Sequence, residues 1–234
     1  MKRDVYKKLL KWKKAYNKKP LIIRGARQVG KTYILKEFGE KEYKNTVYIN
    51  FEQDRTVHNF FERDLDTEEL SEKLALYKET KILPEETLII FDEIQECPRA
   101  VTALKYFQES KMNYHVISAG SLLGVKFRLI DNFPVGKVEF INLYPFTFKE
   151  FLSGIGKEGL RELIESREDY EPFDKPFHEE IMEYLNLYFF IGGMPDIINL
   201  YRNNGDFGEI RNRQNQLLVT YEYDFSKHTT KSEA

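Results

Sequence analysis

The spacing of apolar and polar positions changes repeatedly along the chain. PLIIR (residues 20–24) is a short apolar run of strand type. Behind it Ile34, Leu35 and Phe38 recur at helical spacing, and Gly39 reads as the stop of that helix. TVYINFE (46–52) alternates and is rich in β-branched and aromatic residues, which predicts a second strand. Asp66-Thr67-Glu68-Glu69 has the form of a capping box opening a helix with Leu70, Leu74 and Tyr77 on one face. TLIIFDE (87–93) is continuously apolar up to its acids, the pattern of a strand covered on both faces. Pro98 starts a helix with Ala100, Leu104 and Phe107 inward. YHVISAGS (114–121) and KVEFINL (137–143) supply a fourth and a fifth strand. This alternation predicts right-handed βαβ crossovers and a three-layer α/β fold with a mostly parallel central sheet.

Both ends differ from this middle. Residues 2–19 read as one amphipathic helix with Val5, Leu9, Trp12 and Tyr16 on a face. Nine Lys/Arg fill the rest against one acid, Asp4, either as a solvated face or as a surface for nucleic acid or an acidic partner. After Tyr144-Pro145 the strand signal stops. Thr147-Phe148-Lys149-Glu150 is a second capping-box pattern, and helical segments follow at about 159–168, 177–190, 196–203 and 207–222. The expected organisation is a core over 1–144 and a helical lid subdomain over 145–234.

Composition narrows the class. Apolar residues make up 41%, enough for a buried core. The net charge of −2 leaves no strongly basic footprint over the whole chain. Cys97 is the single cysteine, so no internal disulfide forms and a reducing, cytoplasmic setting is expected. The four histidines show no metal-ligand spacing, and no run approaches the roughly 18 apolar residues of a membrane span.

The chemistry concentrates in RGARQVGKT (24–32). Gly25, four residues and then Gly30-Lys31-Thr32 form the phosphate-loop pattern, here between a strand and a helix. The expected ligand contacts come from Gly25, Ala26, Arg27, Gln28, Val29, Gly30, Lys31 and Thr32. Glycines let the backbone bend and approach a ligand, and loop N–H groups cradle phosphates. Lys31 would reach the β- and γ-phosphates, and the Thr32 hydroxyl would hold Mg²⁺. Asp92, ending the third strand, would organise that Mg²⁺ opposite Thr32, because Mg²⁺ takes few carboxylates and keeps several waters. Glu93 faces elsewhere by strand alternation and would orient or deprotonate the attacking water. Ser118 and Ser121 end the next strand, where a hydroxyl would touch the γ-phosphate or the water, or simply cap the strand. Arg128 and Lys137 are candidates for a further positive charge in cis or from a neighbouring subunit. No Asn-Lys-x-Asp run argues for guanine, so ATP is the expected nucleotide.

RGARQVGKT, LIIFDEIQ, SAGSLLG, FPVGKVEFINLYPFTFKEFL and FIGGMPDII occur in this order. Together they resemble a prokaryotic family of AAA-superfamily ATPases, in which a P-loop ATPase domain precedes a C-terminal domain of unknown function. The resemblance implies residues 25–32 as the nucleotide loop, Asp92 and Glu93 as the metal and water pair, and Ser121 near the γ-phosphate. Other branches carry Gly-Arg where this chain has Gly136-Lys137, a weaker point charge. It also implies that the second domain would begin near Ala234.

The leading expectation is thus a Mg²⁺-dependent, ATP-hydrolysing switch with Lys31, Glu93 and Ser121 in the catalytic roles and Thr32 and Asp92 at the metal. ATP and ADP are its ligands, a nucleic acid, protein or second copy its possible partners. A nucleotide-gated binding module with little turnover is the alternative. A small-molecule kinase comes third, since the acid pair suits water activation better.

Overall fold

The computed structural model describes residues 2–120, 133–168 and 171–226. Its chain divides into two compact units, one over Val5–Leu143 and one joining the residues before Val5 to those from Tyr144 on.

The first unit is a parallel sheet between helical layers. Its strands are β1 (Leu21–Arg24), β2 (Asn45–Asn50), β3 (Thr87–Asp92), β4 (His115–Gly120) and β5 (Glu139–Asn142). They lie in the order β2-β3-β4-β1-β5, and every pairing is parallel. β3 and β4 are buried throughout, β3 as its continuous apolar character requires and β4 as a central strand, whereas the edge strands β2 and β5 carry exposed or half-buried positions.

Alternation along the strands splits the core. Ile22, Val47, Ile49, Ile89, Phe91 and Val116 face one layer, made by α3 (Thr67–Tyr77), α4 (Pro98–Glu109) and a 3₁₀ segment at Arg55–Phe61. The other face meets α1 (Val5–Lys14) and α2 (Lys31–Glu42), whose Leu9, Trp12, Ile34, Leu35 and Phe38 are buried. Asp66 caps α3 by accepting the Glu68 and Glu69 N–H groups, and Pro98 opens α4 behind the buried Cys97. Burial pushes the Cys97 thiol up to about 11, so it stays protonated.

Two expectations are corrected. Gly39 does not stop α2; a Cβ there would lie 2.5 Å from Thr46 Oγ1, so the glycine serves helix-on-strand packing. The first helix ends at Lys14 rather than near 19, and Tyr16 is 94% exposed. The Trp12 indole N–H donates to Lys19 O at 2.8 Å, which turns the chain toward β1 before another helical turn can form.

The second unit is helical: α5 (Phe148–Gly154), α6 (Glu158–Glu165), α7 (Lys175–Ile191), α8 (Pro195–Asn204) and α9 (Phe207–Ser226). Thr147 and Glu150 make both bonds of the capping box. Glu150 also takes the Asp4 N–H at 2.7 Å and Arg3 Nε at 3.2 Å, and the Arg3 guanidinium lies over Phe146. Among the described residues no helix is long and apolar enough to cross a membrane.

His115 is a buried titratable group in the first unit. Its Nδ1 lies 2.9 Å from the Tyr43 hydroxyl and its ring packs edge-on against Trp12 and Tyr43. Burial first, then the nearby Lys18 and Lys13 against an opposing Glu85, depress its pKa to about 4. Below the ordinary histidine pKa near 6.5 the unfolded chain binds the proton and the folded one does not. Stability is therefore complete above about pH 6.5 and falls as pH drops toward 4, by up to about 3 kcal/mol from this group. Denaturant melts between pH 7 and 4 are expected to show that loss, and His115→Phe to flatten it.

Candidate functional site

The loop between β1 and α2 turns through two left-handed residues, Gln28 at φ 64° and Gly30 at φ 92°. Turns of this kind aim successive backbone N–H groups into one concavity, and α2 then starts at Lys31 with its positive end toward the same place. Gly30 is thus the position where the backbone requires a glycine. Gly25 is needed for another reason: a Cβ would meet Leu143 O at 2.2 Å, so β5 closes over it. Packing against Leu143 is thus a reason for the glycine that the loop pattern alone did not reveal. Val29 is fully buried and anchors the loop from below, while Ala26, Arg27 and Gln28 are exposed.

Lys31 is only 6% exposed. Its ammonium donates to Gly25 O at 2.9 Å and Ala26 O at 2.8 Å, since a buried cation must find acceptors. Burial lowers its pKa, while Glu93 and then Asp92 pull it back up.

Asp92, 1% exposed, is satisfied on both oxygens. Oδ2 accepts the Thr32 hydroxyl at 2.6 Å and the Tyr48 hydroxyl at 2.8 Å. Oδ1 accepts the Glu93 N–H at 3.0 Å. Thr32 and Asp92, sixty residues apart, therefore meet as the spacing of the two motifs requires. Glu93 lies beyond the strand, in the left-handed region at φ 48° and ψ 43°. Its direction is set by this turn, not by the strand alternation expected from sequence. Its carboxylate accepts from Gln95 Nε2 at 2.5 Å. Gln28, Gly30, Lys31, Thr32, Glu52 and Glu93, with Arg27 and Tyr33 at the rim, line one cleft of about 460 Å³, within the ~300–1,000 Å³ of small-molecule sites.

Other predicted residues fall elsewhere. Ser118 is in register with Ile22 and Phe91 inside the sheet, fully buried, and its Oγ has no hydrogen-bond partner. It is a core position, not a lining of the cleft. Lys137 Nζ lies 3.0 Å from Glu109. Ser121 and Arg128 lie outside the described residues. Tyr48, Glu52 and Gln95 were missed. Tyr48 hid in the alternation of β2 and becomes visible only once β2 is known to flank β3; Gln95, two residues past Glu93, was the more accessible signal.

A family model described as an AAA domain matches residues 17–152. No curated protein matches. Among solved structures, the chain is similar to the Drosophila ORC bound to DNA, with a TM-score of 0.50 and 13% identity over 91% of this chain and 66% of that one. It is also similar to C. elegans PCH-2, with a TM-score of 0.43 and 16% identity over 88% of this chain and 60% of that one. A Pif1 helicase from Bacteroides in complex with ADP-AlF3 and ssDNA gives a TM-score of 0.40 and 16% identity over 74% and 52%. The chain thus spans less than two thirds of each of these structures. With the loop, the acid pair and a parallel sheet of this order in place, the match over more than half its length settles the family: the chain belongs to the AAA domain family of the P-loop ATPase superfamily, whose function is of the nucleotide-binding ATPase type.

Proposed function

We propose that this chain is a Mg²⁺-dependent ATPase that cleaves the β–γ phosphoanhydride. The observation that carries the reading is the bond from Thr32 Oγ1 to Asp92 Oδ2 beside the buried Lys31. A hydroxyl and a carboxylate are hard oxygen donors of the type Mg²⁺ takes, so Thr32 and Asp92 would hold it, Asp92 through the metal's water shell. When bound, Mg²⁺ neutralises charge on the phosphates.

Residues 25–32 bind the triphosphate. Lys31 exchanges the Gly25 and Ala26 carbonyls for phosphate oxygens, a favourable swap because its burial demands an acceptor of full negative charge. Glu93, on the cleft wall, orients the attacking water and accepts its proton as the water oxygen bonds to the γ-phosphorus and the bond to the β–γ bridging oxygen breaks. ADP and phosphate leave. A positioned base contributes ~10²–10⁴ in rate. Ser121, following β4, would contact the γ-phosphate. The nucleotide state would be read out by the helical segment after Tyr144, as phosphate contacts hold or release switch elements elsewhere.

A second reading has its own observation. Lys7, Lys8, Lys11 and Lys14 are exposed on α1, and none pairs with an acid among the described residues. Lys7, Lys11 and Lys14 share one face by their spacing, anchored from behind by Val5, Leu9 and Trp12. This face suits a nucleic-acid backbone, in a module that holds ATP or ADP with little turnover.

Glu93→Gln is expected to keep binding a fluorescent ATP analogue while phosphate release falls about tenfold or more; Lys31→Ala loses both. Unchanged release by Glu93→Gln removes the role assigned to it. For the second reading, DNA affinity by anisotropy should fall about 40-fold between 50 and 200 mM salt if three lysines meet phosphates, and neutralising Lys7, Lys11 and Lys14 together should abolish the slope. No binding at the lower salt rejects that reading.

A further inference from the structure

The turn after β3 contains a polar side chain that the mechanism above does not use. Gln95 sits in the short 3₁₀ segment Ile94–Glu96, is 8% exposed, and directs Nε2 at Glu93 Oε2. Its Oε1 is buried with no hydrogen-bond partner. A buried amide satisfied on one side only is a poor way to fill space, and an apolar side chain of the same volume would pack there without an unsatisfied carbonyl. Its orientation is also determined, since turning the amide over would set its carbonyl oxygen against the carboxylate.

The Glu93 backbone is held at both ends. Its N–H donates to Asp92 Oδ1, and its carbonyl accepts the Glu96 N–H at 3.0 Å. With φ and ψ fixed in the left-handed region, the side-chain torsions of Glu93 decide where the carboxylate goes. Gln95 engages one of its two oxygens, Oε2. Glu93 also lines the cleft and is the strongest charge influence on Lys31.

We propose that Gln95 is a positioning residue: it grips Oε2 of Glu93 and so aims the carboxylate into the cleft for the attacking water. This rests on the hydrolytic reading of the site. Gln95 is not among the residues that line the cleft; its effect passes through Glu93.

The test is a double-mutant cycle on the full chain, with ATP as substrate, reading phosphate release and melting temperature. Gln95→Leu keeps the volume and removes the donor, and Gln95→Met serves if the leucine variant does not fold. The expected result is a fall in kcat of about tenfold, KM for ATP changed by less than about twofold, and a melting temperature no lower than wild type. In a Glu93→Ala background the same substitution should leave the residual rate unchanged, because the carboxylate it aims is gone. Wild-type kcat in Gln95→Leu overturns the proposal. So does a further loss in the Glu93→Ala background, which shows Gln95 acting by another route. If the wild-type chain releases no phosphate, the hydrolytic reading itself falls and the positioning role falls with it.

Discussion

Two hydroxyl groups on one carboxylate oxygen hold the candidate site together. Asp92 Oδ2 receives Thr32 from the start of α2 and Tyr48 from the middle of β2. The sheet makes this contact demanding. β1, which feeds the loop, and β3, which ends in Asp92, are not neighbours, because β4 lies between them. At ~4.8 Å per strand the two motif strands stand roughly 10 Å apart. The loop must therefore reach across the end of β4, which finishes in Ala119 and Gly120 and presents little bulk there. A carboxylate this deeply buried would be costly alone; two hydroxyls and the Glu93 N–H satisfy it.

The cation opposite it is held by the same logic. Lys31 is buried, which lowers its pKa, and Glu93 and then Asp92 oppose that shift. Around this group the backbone is bent at Gln28, Gly30 and Glu93, all in the left-handed region. For the two non-glycine residues that conformation costs of order 1–3 kcal/mol each. The bonds to Asp92 Oδ1, from Gln95 and from the Glu96 N–H are among those that hold Glu93 there. The pair at the end of β3 is thus a strained turn whose two carboxylates are aimed separately: Asp92 is aimed by the strand, and Glu93 by the turn.

Much of this was legible without coordinates. The continuous apolar run of β3 announced burial on both faces, the alternation of β2 announced a strand, and the strand–loop–helix context placed Lys31 and Thr32. What failed had physical causes. Gly39 read as a terminator because glycine is a poor helix former, yet its missing side chain makes room for Thr46. Tyr16 continued the apolar spacing of α1, but the indole of Trp12 captured Lys19 O and the chain turned. Ser118 looked like a strand-end hydroxyl and is a core residue, because it stands between Ile22 and Phe91 in the sheet. Tyr48 carries no motif at all; its partner is fixed by which strand lies beside β3, and local patterning does not encode strand order.

Gly25 connects the site to the rest of the chain. Leu143 donates its N–H to Arg24 O at 2.7 Å, and its carbonyl occupies the space where a Cβ of Gly25 would stand. The first glycine of the loop and the last residue of the sheet unit are therefore packed as one piece. Leu143 is also the residue after which the helical unit begins. Any side chain at position 25 would have to push the loop and the end of β5 apart. The phosphate loop and the end of the last strand are thus fastened at one point, by the Leu143 N–H bonded to Arg24 O and by the Leu143 carbonyl filling the space that only a glycine at position 25 leaves open.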